Sequence, residues 1–240
     1  MSRSTATVTV DGDKITVLTE GRDPVTLSAV PLPGSLLEWF LEGRREGFER
    51  LKRGEGPGTF FSRHLPVVAT VGDQELFPIR LAHKGVGFLP APNLLDNAIV
   101  AMEELFERTS RSPGPETLRE RLEGLGAFYR DPENLDPGVL GSLEIFAGGT
   151  FTNLIKDPFA SLIFTEPGPP YVSFQIDCAV QVVEPPDPRF RFLQLTRGLF
   201  EKDPFHVTQP GVKCAYLFWI TGITDKTPHP LPDKTDCHRL

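Results

Sequence analysis

The segment Gly148 to Asp157, GGTFTNLIKD, gathers two glycines, two threonines, an asparagine and a lysine within ten residues. The backbone N–H groups of Gly148, Gly149 and Thr150, with the hydroxyls of Thr150 and Thr152, form a donor set of the kind that cradles a phosphate where a helix begins. The same letters also spell a tight turn feeding the apolar run FASLIF, in which Asn153 and Asp157 are local helix caps. Both readings stand on the residues alone. His64 and His83 sit before or on candidate strands, and His206 falls in a loop. The C-terminal stretch holds His229, Asp233, Asp236, Cys237 and His238, but at no spacing that matches a structural zinc site, so no metal is expected. Cys178, inside QIDCAVQV, reads as a buried inert thiol. No Ser-His-acid constellation and no GxSxG or HExxH motif occurs, so hydrolysis has no support and no catalytic residue is assigned. Any redox chemistry would come from a bound cofactor.

These residues need elements to position them. ATVTV, KITVLT and VTLSAV alternate with period two around DGD and predict a β-hairpin with a third strand. Ser35 is an expected N-cap for a helix over LLEWFLEGRREGFERLKRG. Leu36, Leu37, Phe40, Leu41, Phe48 and Leu51 form its apolar face, and Arg44, Arg45, Arg50, Lys52 and Arg53 its solvated one. GEGPGTFFSRH reads as a loop, and residues 65–90 as two or three strands with turns at Gly72-Asp73 and Lys84-Gly85. Two amphipathic helices follow, over 93–109 and ETLRERLEGLGAFYR, as a hairpin inserted between strands. From Leu140 the pattern returns to strands: GSLEIFAGG, FASLIF, YVSFQIDCAVQVVE and VKCAYLFWITGITDKTP, with a short helical turn at TFTNLIKD and a Pro-started helix after PPDP. So few parallel crossover units point to a mainly β fold: an antiparallel barrel with helices outside it. Residues 1–55 are an N-terminal extension, 56–228 the barrel domain with a helical insertion at 93–130, and 229–240 an irregular tail.

Composition bounds the function. The 240 residues carry 25 Lys and Arg against 32 Asp and Glu, a formal charge of −7, which argues against general nucleic-acid binding. No apolar run approaches the roughly 20 residues of a membrane span, and MSRSTATVTVDGDK lacks a secretory signal. Three widely spaced cysteines suit reduced thiols, so a cytoplasmic protein with no membrane partner is expected.

NLIKDPFASLIF, YVSFQIDCAVQVVE and YLFWITGITDKTP together resemble the pyridoxamine-phosphate-oxidase-like, FMN-binding split-barrel superfamily over roughly residues 140–228. The resemblance implies a six-stranded antiparallel split β-barrel that forms a homodimer, with a small-molecule cofactor in each interfacial cleft. It implies an FMN-dependent oxidoreductase in which Arg80 and Lys84 of IRLAHK hold the phosphate. Residues four apart on a strand face the same side, so these two can converge on one anion. The turn of Gly148, Gly149, Thr150, Thr152 and Asn153 would add backbone and side-chain bonds, and Trp219 would wall the cavity. The chain departs from the family where a basic pair is expected, because Gly149 and Thr150 stand there. The same resemblance leaves two alternatives: a flavin-free ligand- or partner-binding module, and a haem-binding or haem-degrading relative using a C-terminal His.

Overall fold

A computed structural model describes residues 6–112, 114–201, 203 and 211–228. The chain opens with β1 (Thr7–Asp11), β2 (Lys14–Leu18) and β3 (Val25–Ser28), an antiparallel three-stranded meander in that order. Gly12, at φ 60°, starts the two-residue turn between β1 and β2, where the twist of a hairpin favours a left-handed residue. Helix α1 (Gly34–Lys52) follows, two residues ahead of the expected start. Ser35 is not its cap: Pro33 opens the helix, its carbonyl accepting from the N–H groups of Leu36 and Leu37 at 2.9 Å each.

The segment expected to be a loop contains a second helix, α2 (Phe60–His64). Tertiary contact explains it. Gly43 and Gly47 lie one turn apart on α1, and a methyl group on either would collide with Arg63 or Phe60. Two bare positions let α2 press against α1, with Phe60 beside Phe48 at 6.1 Å between ring centres. Arg63 then lies over Trp39 and forms a bidentate pair with Glu166.

The remaining strands are β4 (Val67–Val71), β5 (Ile79–His83), β6 (Gly87–Pro90), β7 (Leu135–Glu144), β8 (Phe159–Glu166), β9 (Val172–Val183) and β10 (Cys214–Asp225). They form one antiparallel sheet in the order β5-β4-β8-β9-β10-β7-β6. The mainly β class with peripheral helices is as expected; among the described residues the sheet has seven strands rather than six, and no hydrogen-bonded ladder closes it. It nevertheless curls strongly. Edge strands β5 and β6 are consecutive in sequence, joined by only Lys84, Gly85 and Val86, so the two edges stand within about 14 Å. Phe40 of α1 touches both sides of the curl, 5.7 Å from Phe88 on β6 and 4.8 Å from Phe164 on β8.

Helix α1 therefore fills the concave face and shares its core with Phe88, Leu140, Leu162, Tyr216 and Phe218. Arg44, expected on the solvated side of α1, is buried within this core. Its Nη2 donates to the Val86 carbonyl at 2.9 Å, and the guanidinium lies over the rings of Phe88 and Tyr129. Helices α3 (Leu95–Ser110) and α4 (Pro115–Phe128) form the expected insertion between β6 and β7, packing on α1 and on α6 (Pro188–Gly198). The N-terminal meander covers the opposite face, where Val8, Ile15 and Val17 meet Ala179, Phe159 and Trp219. No helix among the described residues is long and apolar enough to cross a membrane.

Candidate functional site

Chain direction reverses between β7 and β8 through a turn and a single short helix, α5 (Gly149–Leu154). Glu144, the last residue of β7, organises the turn: its Oε1 accepts from the N–H groups of Phe146 at 2.9 Å and Ala147 at 3.0 Å. Ala147 takes φ 50°, a left-handed conformation that a side chain rarely adopts, and these bonds hold it there. Gly148 is extended, and its carbonyl accepts from the N–H and hydroxyl of Thr152. Thr150 and Asn153 are buried on the inner side of α5.

Helix α5 packs against β4 and β5. Asn153 Nδ2 donates to Thr70 Oγ1 at 3.0 Å, and Gly72 lies so near that a Cβ there would stand 2.8 Å from Asn153 Oδ1. Thr70 lies opposite Arg80 in the β4–β5 ladder, so both point to one face. Residues far apart in sequence, Arg80 and the 148–153 turn, thus meet at one end of the sheet. The connection from Gly72 to Pro78, closed by the Gly72 N–H to the Pro78 carbonyl at 2.7 Å, crosses this end. Arg80 donates to Gln74 Oε1 and Lys156 pairs with Asp73, so two cations bond to adjacent residues of one connection.

Lys84 goes elsewhere. Its ammonium lies 2.5 Å from Glu144 Oε2, which also accepts from the Tyr216 hydroxyl at 2.7 Å, and it sits over the Tyr216 ring. Glu144 thus collects four donors while only 1% exposed. Burial pushes its carboxyl up, but the bonds from Lys84, Tyr216 and the Phe146 amide outweigh it and hold the group below its ordinary range. Burial and the Glu144 carboxylate drive the Tyr216 hydroxyl far upward, and burial with Glu144 raises the neighbouring Cys214 thiol to about 12. Ser142 Oγ, on the same strand face, is buried with no hydrogen-bond partner among the described residues. Such a knot is a clasp rather than an open anion site: the acid that neutralises Lys84 is already in place.

Trp219 lies on the opposite face of the sheet from Arg80, because it pairs with Ala179 and packs under the N-terminal meander. Its Nε1 donates to Gln181 Oε1 at 3.2 Å. His64 Nδ1 contacts the Val86 carbonyl at 2.7 Å with its ring stacked on Phe60, while exposed His83 contacts the Leu65 carbonyl at 3.1 Å. Cys178 is buried, its thiol pushed well up by burial, in keeping with an inert thiol. Among the described residues no group of three His, Cys, Asp or Glu could hold a metal. His206 and the Cys/His-bearing tail lie outside the described residues.

Sequence reasoning missed Glu144 and the direction of Lys156. The first left a signal: an acid two residues from Ser142 and four from Leu140 shares their inward face of the strand. The second left none, since the direction of Lys156 is set by Asp73, 83 residues away in the chain.

No family model and no curated protein matches the chain. Among solved structures, HupZ of Group A Streptococcus is similar over 70% of this chain and 88% of its own, at 8% identity and a TM-score of 0.39. An FMN-binding protein from Syntrophomonas wolfei subsp. wolfei is similar over 80% of this chain and 94% of its own, at 10% identity and a TM-score of 0.40.

Proposed function

We propose that this chain is a flavin-binding split-barrel protein of the oxidoreductase type that takes FMN by its phosphate at the end of the sheet where α5 meets β5. The observation that carries this reading is the approach of Arg80 and Lys156 to adjacent residues, Gln74 and Asp73, beside the Gly148–Asn153 turn. A phosphate dianion asks for two cations and several neutral donors, and these residues fit that need although Lys84 is consumed by Glu144. Lys156 takes the place that the strand spacing gave to Lys84.

The present partners of the two cations are a neutral amide and an exposed carboxylate. An exposed ion pair contributes about 0–1 kcal/mol, so a dianion displaces them at little cost. The N–H groups of Gly148, Gly149 and Thr150 are the neutral donors, and exposed Leu76 and Phe77 on the connection from Gly72 to Pro78 offer apolar surface to a flat ring system. Bound FMN supplies the electron-transfer chemistry; the chain binds and orients it. Commitment of Lys84 to the core favours a second reading, a flavin-free binding module.

Fluorescence titration with FMN and with riboflavin, which lacks the phosphate, separates the two. The flavin reading expects FMN to bind at least about tenfold more tightly than riboflavin, and Arg80→Ala with Lys156→Ala to abolish the difference. A chain that takes up neither flavin belongs to the second reading. A Soret band on haem titration would point instead to a haem protein.

A further inference from the structure

Arg80 stands on β5 and Lys156 just past α5, so their separation is set by whatever joins the two elements. Helix α5 is six residues long, too short to keep a fixed place by its own hydrogen bonds. One buried side-chain bond supplies the join. Asn153 Nδ2 donates to Thr70 Oγ1 at 3.0 Å across 83 residues of chain, with Thr70 1% and Asn153 9% exposed. Thr70 is held from both flanks, paired with Arg80 in β5 and with Ala160 in β8. Asn153 is tied as closely to Lys156: its carbonyl accepts from the Lys156 N–H at 3.0 Å and the Asp157 N–H at 2.8 Å. Gly72 leaves the room, since a Cβ there would stand 3.2 Å from Asn153 Nδ2. The family resemblance implies Asn153 as a ligand contact, but its side chain is turned into β4 instead.

We infer that Thr70 and Asn153 are positioning residues: neither touches the anion, and their bond sets the distance between the two cations that grip it. The anion is the FMN phosphate, so the assignment rests on the flavin reading. The inward face of β4 explains why a polar pair stands here. Its other member, Val68, is fully buried against Leu162 of β8, and an apolar pair at 70 and 153 would fill the same space with no bond to satisfy. Apolar contact is non-directional, whereas a hydrogen bond fixes where α5 lies on the sheet. That matters for a grip. Two charge-assisted bonds to one phosphate each need about 2.7–2.9 Å, and a site loosened by about 1 Å loses them. Arg80 and Lys156 are long enough to follow a displaced anion, but only by giving up rotamer freedom. The loss therefore falls on the phosphate and spares the ring system.

Titration of the full chain with FMN and riboflavin tests this in Thr70→Val, Thr70→Ser and Lys156→Ala. Thr70→Val keeps the side-chain shape and removes the acceptor. It is expected to cut the roughly tenfold FMN preference to about threefold or less, with riboflavin affinity within about twofold of wild type. Thr70→Ser, which keeps Oγ, should keep the preference. Asn153→Ala removes the donor and should repeat the loss from the other side. Because Thr70 acts through Lys156, adding Thr70→Val to Lys156→Ala should cost nothing further, whereas a general weakening of the fold would add in full. Hydrogen exchange on the flavin-free chain needs no ligand: the Lys156 and Asp157 amides should exchange faster in Thr70→Val and at the wild-type rate in Thr70→Ser. An FMN preference that survives Thr70→Val and Asn153→Ala, or amides indifferent to both, overturns the positioning role and leaves the flavin reading standing. A wild-type chain with no FMN preference, whose amides still respond as expected, sinks the flavin reading alone.

Discussion

Glu144 and Arg44 are the two buried charges on which the concave core turns, and they are handled differently. Glu144 is neutralised by Lys84 and fixed by three further donors, so removing its charge leaves an ammonium buried against a neutral group. Glu144→Gln is expected to cost about 3 kcal/mol at pH 7, measured by urea denaturation. Lys84→Met in the same chain should recover part of that loss, because the two sites are coupled. The pH dependence has a defined sign. The folded-state value lies below the ordinary carboxyl value of 4.5, so the stabilisation is intact above that pH and fades as pH falls through the lowered value. The gap between wild type and Glu144→Gln should therefore narrow on acidification below about pH 4.5. Arg44 has carbonyls and aromatic faces around it, with burial pushing its guanidinium down and Tyr129 opposing that. Arg44→Ala would leave the Val86 carbonyl with His64 as its remaining side-chain partner, beside a void between the rings of Phe88 and Tyr129, at a cost of about 2–4 kcal/mol in the same measurement.

At the level of elements, the N-terminal meander is held to the sheet chiefly by Val8, Ile15 and Val17 over Ala179 and Trp219, with Ala6 N–H to the Ile155 carbonyl and Arg22 to Asp157 at its rim. Val17→Asp places a charge in that small contact and should unseat the meander while leaving the seven-stranded sheet folded. In a Trp39→Phe background, the emission of Trp219 would shift to the red with far-UV dichroism largely kept; an unshifted emission would mean the meander holds by other contacts. How much of this was legible follows from the range of the forces involved. β9 and β10 are long runs with period two or continuous apolar character, and α3 and α4 have strong apolar faces, so local pattern alone specifies them. Helix α2 is five residues long and forms because Gly43 and Gly47 admit it, a contact no local pattern announces. Arg44 was illegible for a similar reason: α1 mixes charges around its girth, and only the curl of the sheet over it decides which one is buried.

For the whole molecule, the curl is the organising feature. Three residues join the two edges of a seven-stranded sheet, and Phe40 of α1 packs into the hollow this creates. The proposed phosphate grip lies at the end where α5 meets β5. There the strand spacing put Arg80 and Lys84 on one face but could not tell that Glu144, on a strand sixty residues away, draws Lys84 inward while Asp73 draws Lys156 across. Face is a local property of a strand; partner is a property of the fold. The central claim is that Arg80 and Lys156 together form the phosphate grip, and the ratio of FMN to riboflavin affinity reads it most directly. The ratio should be about tenfold or more in the wild type and fall to about one in the Arg80→Ala, Lys156→Ala chain, with riboflavin affinity little changed. Equal affinities for the two flavins in the wild-type chain, or a ratio untouched by the double substitution, would contradict the account.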